Sequence, residues 1–177
     1  MNPVVARSFE KLERQKSEAL DEVAAWSPAR LRFRPDPEAW STLDVLDHLM
    51  KVERALLKAV MANLPHGQPV SLRSRLGARV VIGIMRSRLR VKVPPAATSV
   101  LPTAKLDPAR LGPRWTATRD ELGALLATLS REQLRRGLFR HPVSGWMTMP
   151  HAVTFLAAHF GHHQRQLARL RHASRGM

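Results

Sequence analysis

Apolar residues recur along this chain with the spacing of helices, and prolines cluster between the stretches. Pro3 to about Trp26 reads as a first helix. Phe9, Leu12, Leu20 and Val23 share one stripe, Lys16 bridges its gap, and charged residues fill the other side. Ser27-Pro28 ends it, because the residue before a proline avoids the α region, and Leu31 to Ala39, with Pro35 and Pro37, reads as a loop. Ser41 then opens a helix to about Asn63. It is a good N-cap, and Asp44 occupies the third helical position, as a capping box requires. The stripe Val45, His48, Leu49, Val52, Leu56 and Val60 puts a histidine on the buried side of this helix.

Beyond a turn at Pro65 to Pro69, Ser71 to about Arg90 is a basic amphipathic segment. Leu72, Leu76, Val80 and Ile84 mark its apolar face, and Gly77 and Gly83 each weaken it by about 1 kcal/mol relative to alanine. Val91 to Pro108 holds Pro94, Pro95, Pro102 and Pro108 and is a long connection, as a bundle needs where neighbouring helices run parallel. The next helix starts near Asp107, with Pro108 at its first position, and is firm from Arg114; Trp115, Leu122, Leu125, Leu126 and Leu129 form its stripe. Ser130 to Leu134 is a short capped turn, and His141 to Trp146 a turn-rich loop. Thr148 caps a last helix to about His172, whose stripe is Ala152, Phe155, Leu156, His159, His163, Leu167 and Leu170.

Composition narrows the chemistry. A chain of 177 residues suggests one domain, here spanning 1–177. With no cysteine, disulfides, a thiolate nucleophile and a Cys-type zinc site are excluded, so a metal must be held by His, Asp or Glu. The N-terminus lacks the apolar core of a signal peptide, and the most apolar run, Ala78 to Met85, is too short to span a bilayer; the expected location is the cytoplasm. The formal net charge is +15 and unevenly laid out: ten of the fourteen acidic residues lie between Glu10 and Glu53, and none lies between Arg54 and Leu106. Such a surface attracts nucleic acid, anionic membranes or anionic ligands without specificity. No helix-turn-helix or zinc-finger pattern is present, so specific nucleic-acid recognition is not expected.

The histidines carry the sharpest signal. In a helix, residues four apart stand on one face, so His159 and His163 can aim two imidazoles at one point. His159 and His162, three apart, are also close. Spacing leaves the second ligand open, and helical phase favours His163. His48 is the third inward-facing imidazole, and three on two helices make an open metal site with positions left for water or substrate. Asp47, beside His48, and Gln166, one turn past His163, are candidate outer partners for ligating rings; His141 is a candidate for the pocket wall. Asp44 is better read as the helix cap, and His151 as structural. Spacing assigns no general base and no other catalytic residue.

A capped helix written W-S-x-x-D-V-L-x-H (Trp40 to His48), a proline-broken middle, an H-P-x-x-G loop (His141 to Gly145) and a last helix H-x-x-x-H-x-x-Q (His159 to Gln166) resemble the DinB/YfiT-like superfamily. The resemblance implies an all-α four-helix bundle of up-down-down-up connection, here with an extra short helix in the 71–90 region, and often a homodimer. It implies a divalent ion, zinc or nickel, on His48, His159 and His163, which selects His163 over His162. It also implies a metal-dependent enzyme acting on a small-molecule substrate, often a transferase that uses a low-molecular-weight thiol (bacillithiol, mycothiol or glutathione) or a related hydrolase or isomerase. The residue before the last histidine is often arginine in relatives and is His162 here, so no particular thiol carries over. The competing reading is a non-enzymatic binding or stress-response protein whose basic segment, Arg73 to Lys92, contacts nucleic acid or membrane.

Overall fold

A computed structural model describes residues 1–89, 91, 94–103 and 106–176, and within them the chain is mostly helical. The helices are α1 (Pro3–Val23), α2 (Pro28–Arg32), α3 (Thr42–Asn63), α4 (Leu72–Arg86), α5 (Pro108–Thr128), α6 (Arg131–Arg135) and α7 (Met149–Ala173). Two strands, β1 (Gly137–His141) and β2 (Gly145–Thr148), pair antiparallel between α6 and α7.

Local chemistry sets most boundaries. Ser41 and Asp44 form the expected capping box at the start of α3, and Ser130 and Gln133 form the one at α6. Asp107 caps α5 with Pro108 in its first turn. Ser27, expected only to end α1, instead caps the extra helix α2, its hydroxyl accepting the Arg30 N–H at 3.1 Å. Helix α1 therefore stops at Val23, short of Trp26.

The core lies between α1, α3, α5 and α7, with Leu12, Leu46, Leu56, Trp115, Leu122 and Phe160 fully buried. Trp115 stacks on Phe160 at 5.7 Å between ring centroids. A charged knot runs through this core. Glu53 accepts the Trp115 indole N–H at 3.0 Å and two Arg119 guanidinium N–H groups at 2.9 and 2.5 Å, and Arg119 also donates to Glu13 at 2.8 Å.

Two expectations are corrected. Within a fold that is mostly helical, as expected, residues 137–148 form a small hairpin, which takes in the stretch His141 to Trp146 expected as a loop. Gly137 and Gly145 make it possible: a Cβ on Gly137 would lie 2.8 Å from that of Trp146, and Gly145 sits at φ +77°, the left-handed region. The second correction is the face of α4. Of the expected face, Leu72, Leu76 and Val80 are 73%, 51% and 60% exposed and only Ile84 packs against the core, whereas Ala78, Val81, Ile82 and Met85 are buried. Both rows have helical spacing. The small residues decide, since Gly77 sits so close to Ser144 that a Cβ there would be 3.2 Å from the serine's. Arg165 of α7 completes the packing by donating to the carbonyls of Met85 (3.0 Å) and Ser87 at the end of α4. Arg90, expected to end this helix, and Lys92 lie outside the described residues.

In the proline-rich connection between α4 and α5, residues 94–103 lie over α3 as a strap, with a 3-10 turn at Pro95–Val100. The strap is tied to α3 at His48, Asp47 and Lys51, whose Nζ donates to the Leu101 carbonyl at 2.7 Å, and the first of these belongs to the site described next.

Candidate metal centre

Helix α3 carries His48 in its second turn, and α7 carries His159 and His163 at its middle, where the helix is buried on most sides. These three histidines meet. One ring nitrogen from each lies within 4.8 Å of the other two, and all three side chains are buried. The Nε2 atoms of His48 and His159 are 3.3 Å apart.

The outer ring atoms define which nitrogens point inward. His48 Nδ1 lies 2.8 Å from the Val100 carbonyl oxygen of the strap, and His163 Nδ1 lies 2.9 Å from Gln166 Oε1. Both partners accept, so both Nδ1 atoms carry the proton and both Nε2 lone pairs face the centre. Burial lowers the pKa of His48, of His159 well below its ordinary value, and of His163 to about 3. Mutual repulsion among the rings adds to the effect at His159 and His163. The three rings are neutral near neutral pH, as metal ligation demands. Converging lone pairs, each backed by an acceptor or by burial, are a donor set able to hold a metal ion.

Aromatic rings box the group. Trp40 lies 4.9 Å from His48 and stacks on His163 at 6.1 Å and 11°, and Phe155 stacks on His159 at 5.5 Å. A cavity of about 930 Å³ opens over the three histidines, walled by Val81, Ile84, Met85, Val100 and Phe139 and reached at its rim by Arg140 and Arg169.

The remaining candidates separate clearly. Gln166 is the partner of His163. Asp47 is not the partner of His48: its Oδ2 accepts the Thr103 N–H at 2.7 Å and the Thr103 hydroxyl at 3.2 Å, and pairs with Lys51 at 3.0 Å. It anchors the strap, and the strap's own backbone supplies the acceptor for His48. His141 and His162 both line the cavity outside the group of three, His162 with Arg165 at 3.4 Å from its Nδ1. His151 faces Thr148 at the start of α7, away from the centre, in keeping with a structural role. Sequence reasoning missed Trp40 and Phe155 as walls of the site and the Val100 carbonyl. Trp40, one position before the cap of α3, carried a signal in its place as a staple residue; a backbone carbonyl carries none.

A mostly helical protein with a buried three-histidine group able to hold a metal ion is the class these features define. The chain belongs to the DinB superfamily, whose family model matches residues 11–167. No curated protein and no solved structure matches it significantly.

Proposed function

We propose that this protein is a metal-dependent enzyme whose single domain, residues 1–177, is a four-helix bundle of up-down-down-up connection with α4 as an added helix. His48, His159 and His163 are the ligands, and zinc or nickel is the ion. The observation that carries this reading is the convergence of the three buried rings, with Nδ1 of His48 and of His163 facing an acceptor. Three neutral imidazoles leave a divalent ion its full charge, and such an ion, when bound, brings a water or thiol toward ionisation near neutral pH. The chain has no cysteine, so the thiol is a small molecule of the bacillithiol, mycothiol or glutathione kind, and the reaction is an S-transfer or a related hydrolysis or isomerisation. The protein's own residues orient the ligand rings, exclude water with Trp40 and Phe155, and offer Arg140 and Arg169 at the rim to anionic groups. The proposed setting is cytoplasmic. No described helix is long and apolar enough to cross a membrane.

The test is elemental analysis of untagged protein followed by thiol consumption with a generic electrophile. One equivalent of metal per centre and thiol loss are expected, and both disappear in His48→Ala and His159→Ala. Protein that binds no metal when offered zinc or nickel overturns the reading.

A second reading draws on the outward face of α4, where exposed Leu72, Leu76 and Val80 run beside Arg73, Arg75, Arg79 and Arg86. An apolar row flanked by cations suits an anionic lipid surface better than nucleic acid, since this row holds no aromatic side chain for base stacking. The protein would then dock on anionic membrane without enzymatic turnover. Salt-sensitive retention on phosphatidylglycerol vesicles that survives His48→Ala but is lost in Arg75→Gln/Arg79→Gln supports it; equal retention of both variants removes it.

A further inference from the structure

His141 stands at the end of β1, just before the three-residue loop Pro142 to Ser144, and contributes to the wall of the cavity over the three histidines. Its Nδ1 accepts two backbone N–H groups, from Val143 at 3.2 Å and from Ser144 at 3.3 Å. The loop makes this unavoidable. Gly145 at φ +77° closes the turn, and the two N–H groups of the loop point back at the ring. A nitrogen that accepts two hydrogen bonds holds its lone pair, so the ring proton sits on Nε2. An imidazolium has no acceptor, so the same two bonds also keep the ring neutral.

The ring is held in place from the side. It meets Phe155 edge-on at 4.8 Å and 72°, and Phe155 in turn stacks on His159. His141 is therefore adjacent to the centre yet outside the group of converging nitrogens. Its Nε2 makes no hydrogen bond among the described residues, and the side chain lines the cavity. Phe139 and Phe155 flank it, and the cavity it lines is walled mainly by apolar side chains such as Val81, Ile84 and Met85, with Arg140 and Arg169 at the rim. A fixed, neutral N–H donor among apolar walls favours a ligand that brings an acceptor and no proton, on an apolar body.

We propose that His141 is a ligand-contacting hydrogen-bond donor of this site, and that the ligand it recognises is an apolar molecule bearing a carbonyl or carboxylate oxygen. The inference rests on the cavity being the ligand site of the metal centre. Two measurements keep the two ideas separable. The first needs no metal. In long-range ¹H–¹⁵N spectra of the metal-free protein, His141 shows a protonated Nε2 and an unprotonated Nδ1 from pH 8 down to pH 6. The opposite tautomer, or a ring that is protonated on both nitrogens at pH 6, overturns the proposal whatever the metal does. The second compares benzoate, acetophenone and ethylbenzene binding to zinc-loaded protein by ligand-observed NMR. His141→Asn places an oxygen where Nδ1 stood, so the loop keeps its acceptor, and the Nε2 donor is gone. Benzoate, acetophenone or both weaken by about tenfold, the value of one lost hydrogen bond. Which of them weakens tells whether a carboxylate or a carbonyl is read. Ethylbenzene and zinc content are unchanged, and His141→Gln, which restores a donor at that reach, recovers most of the loss. Oxygen ligands that bind His141→Asn as well as wild type, or ethylbenzene that weakens equally, sink the assignment.

Discussion

At the scale of single residues, Glu53 shows how much can depend on a side chain with no place in the chemistry. Burial pushes its carboxyl pKa up, while Arg119 and the Trp115 indole pull it down. Two Arg119 N–H groups and one from Trp115 converge on its oxygens. Truncating one member of a buried ion pair leaves the other charge stranded, at about 3–5 kcal/mol. Glu53→Ala is expected to lose that much in urea unfolding, since Glu13 remains for only part of the guanidinium. A loss under about 1 kcal/mol would show that Arg119 finds water instead. The ligand histidines allow a different prediction. Because burial lowers the pKa of all three, zinc binding at pH 6 should release clearly fewer protons than three exposed rings would. Three histidines of ordinary pKa would release about two. Titration calorimetry in two buffers of different ionisation enthalpy measures the difference directly, and release of two protons would contradict the burial argument.

At the scale of elements, what was legible follows from whether the relevant signal is local. Caps are local, and Ser41, Asp107 and Ser130 marked their helices correctly. Periodicity is local too, which is why His48, His159 and His163 could be placed on buried faces before any contact was known. The choice between two periodic faces is not local. In α4 the rows Leu72-Leu76-Val80 and Ala78-Val81-Ile82-Met85 are equally regular, and it takes tertiary contacts, the packing on α7 and the approach of Gly77 to the hairpin at Ser144, to select the second. The hairpin itself was hidden because strands of four and five residues are too short to show alternation. Substitutions in α4 test the face directly. Ile82→Ala should cost about 2–5 kcal/mol, and Leu76→Lys should stay within about 0.5 kcal/mol. Equal losses in thermal unfolding would reverse the face.

At the scale of the whole molecule, buried neutral histidines make the fold sensitive to acid. His48, His159, His163 (to about 3) and His141 (to about 4) all have pKa values lowered chiefly by burial. In the unfolded chain each titrates near 6.5. Their contribution is complete above that value and is lost as pH falls toward the folded values, by about 1.4 kcal/mol per pH unit for each ring. Glu53, raised by burial, works the other way by one proton at most. The midpoint of thermal unfolding of metal-free protein should therefore drop steadily from pH 7 to pH 4. A flat profile by circular dichroism would mean the rings charge without unfolding the protein.

The strap over α3 has two end moorings three residues apart, Val100 at His48 and Thr103 at Asp47, with the Leu101 carbonyl held by Lys51 between them. The first attachment is a main-chain oxygen, which every amino acid supplies, so replacing Val100 cannot delete it. Chain length can. Adding or removing one residue between the two moorings forces one of them to let go, and the imidazole of His48 loses its heading although every histidine is still present. The span from 100 to 103 should accept changes of letter far more readily than changes of count.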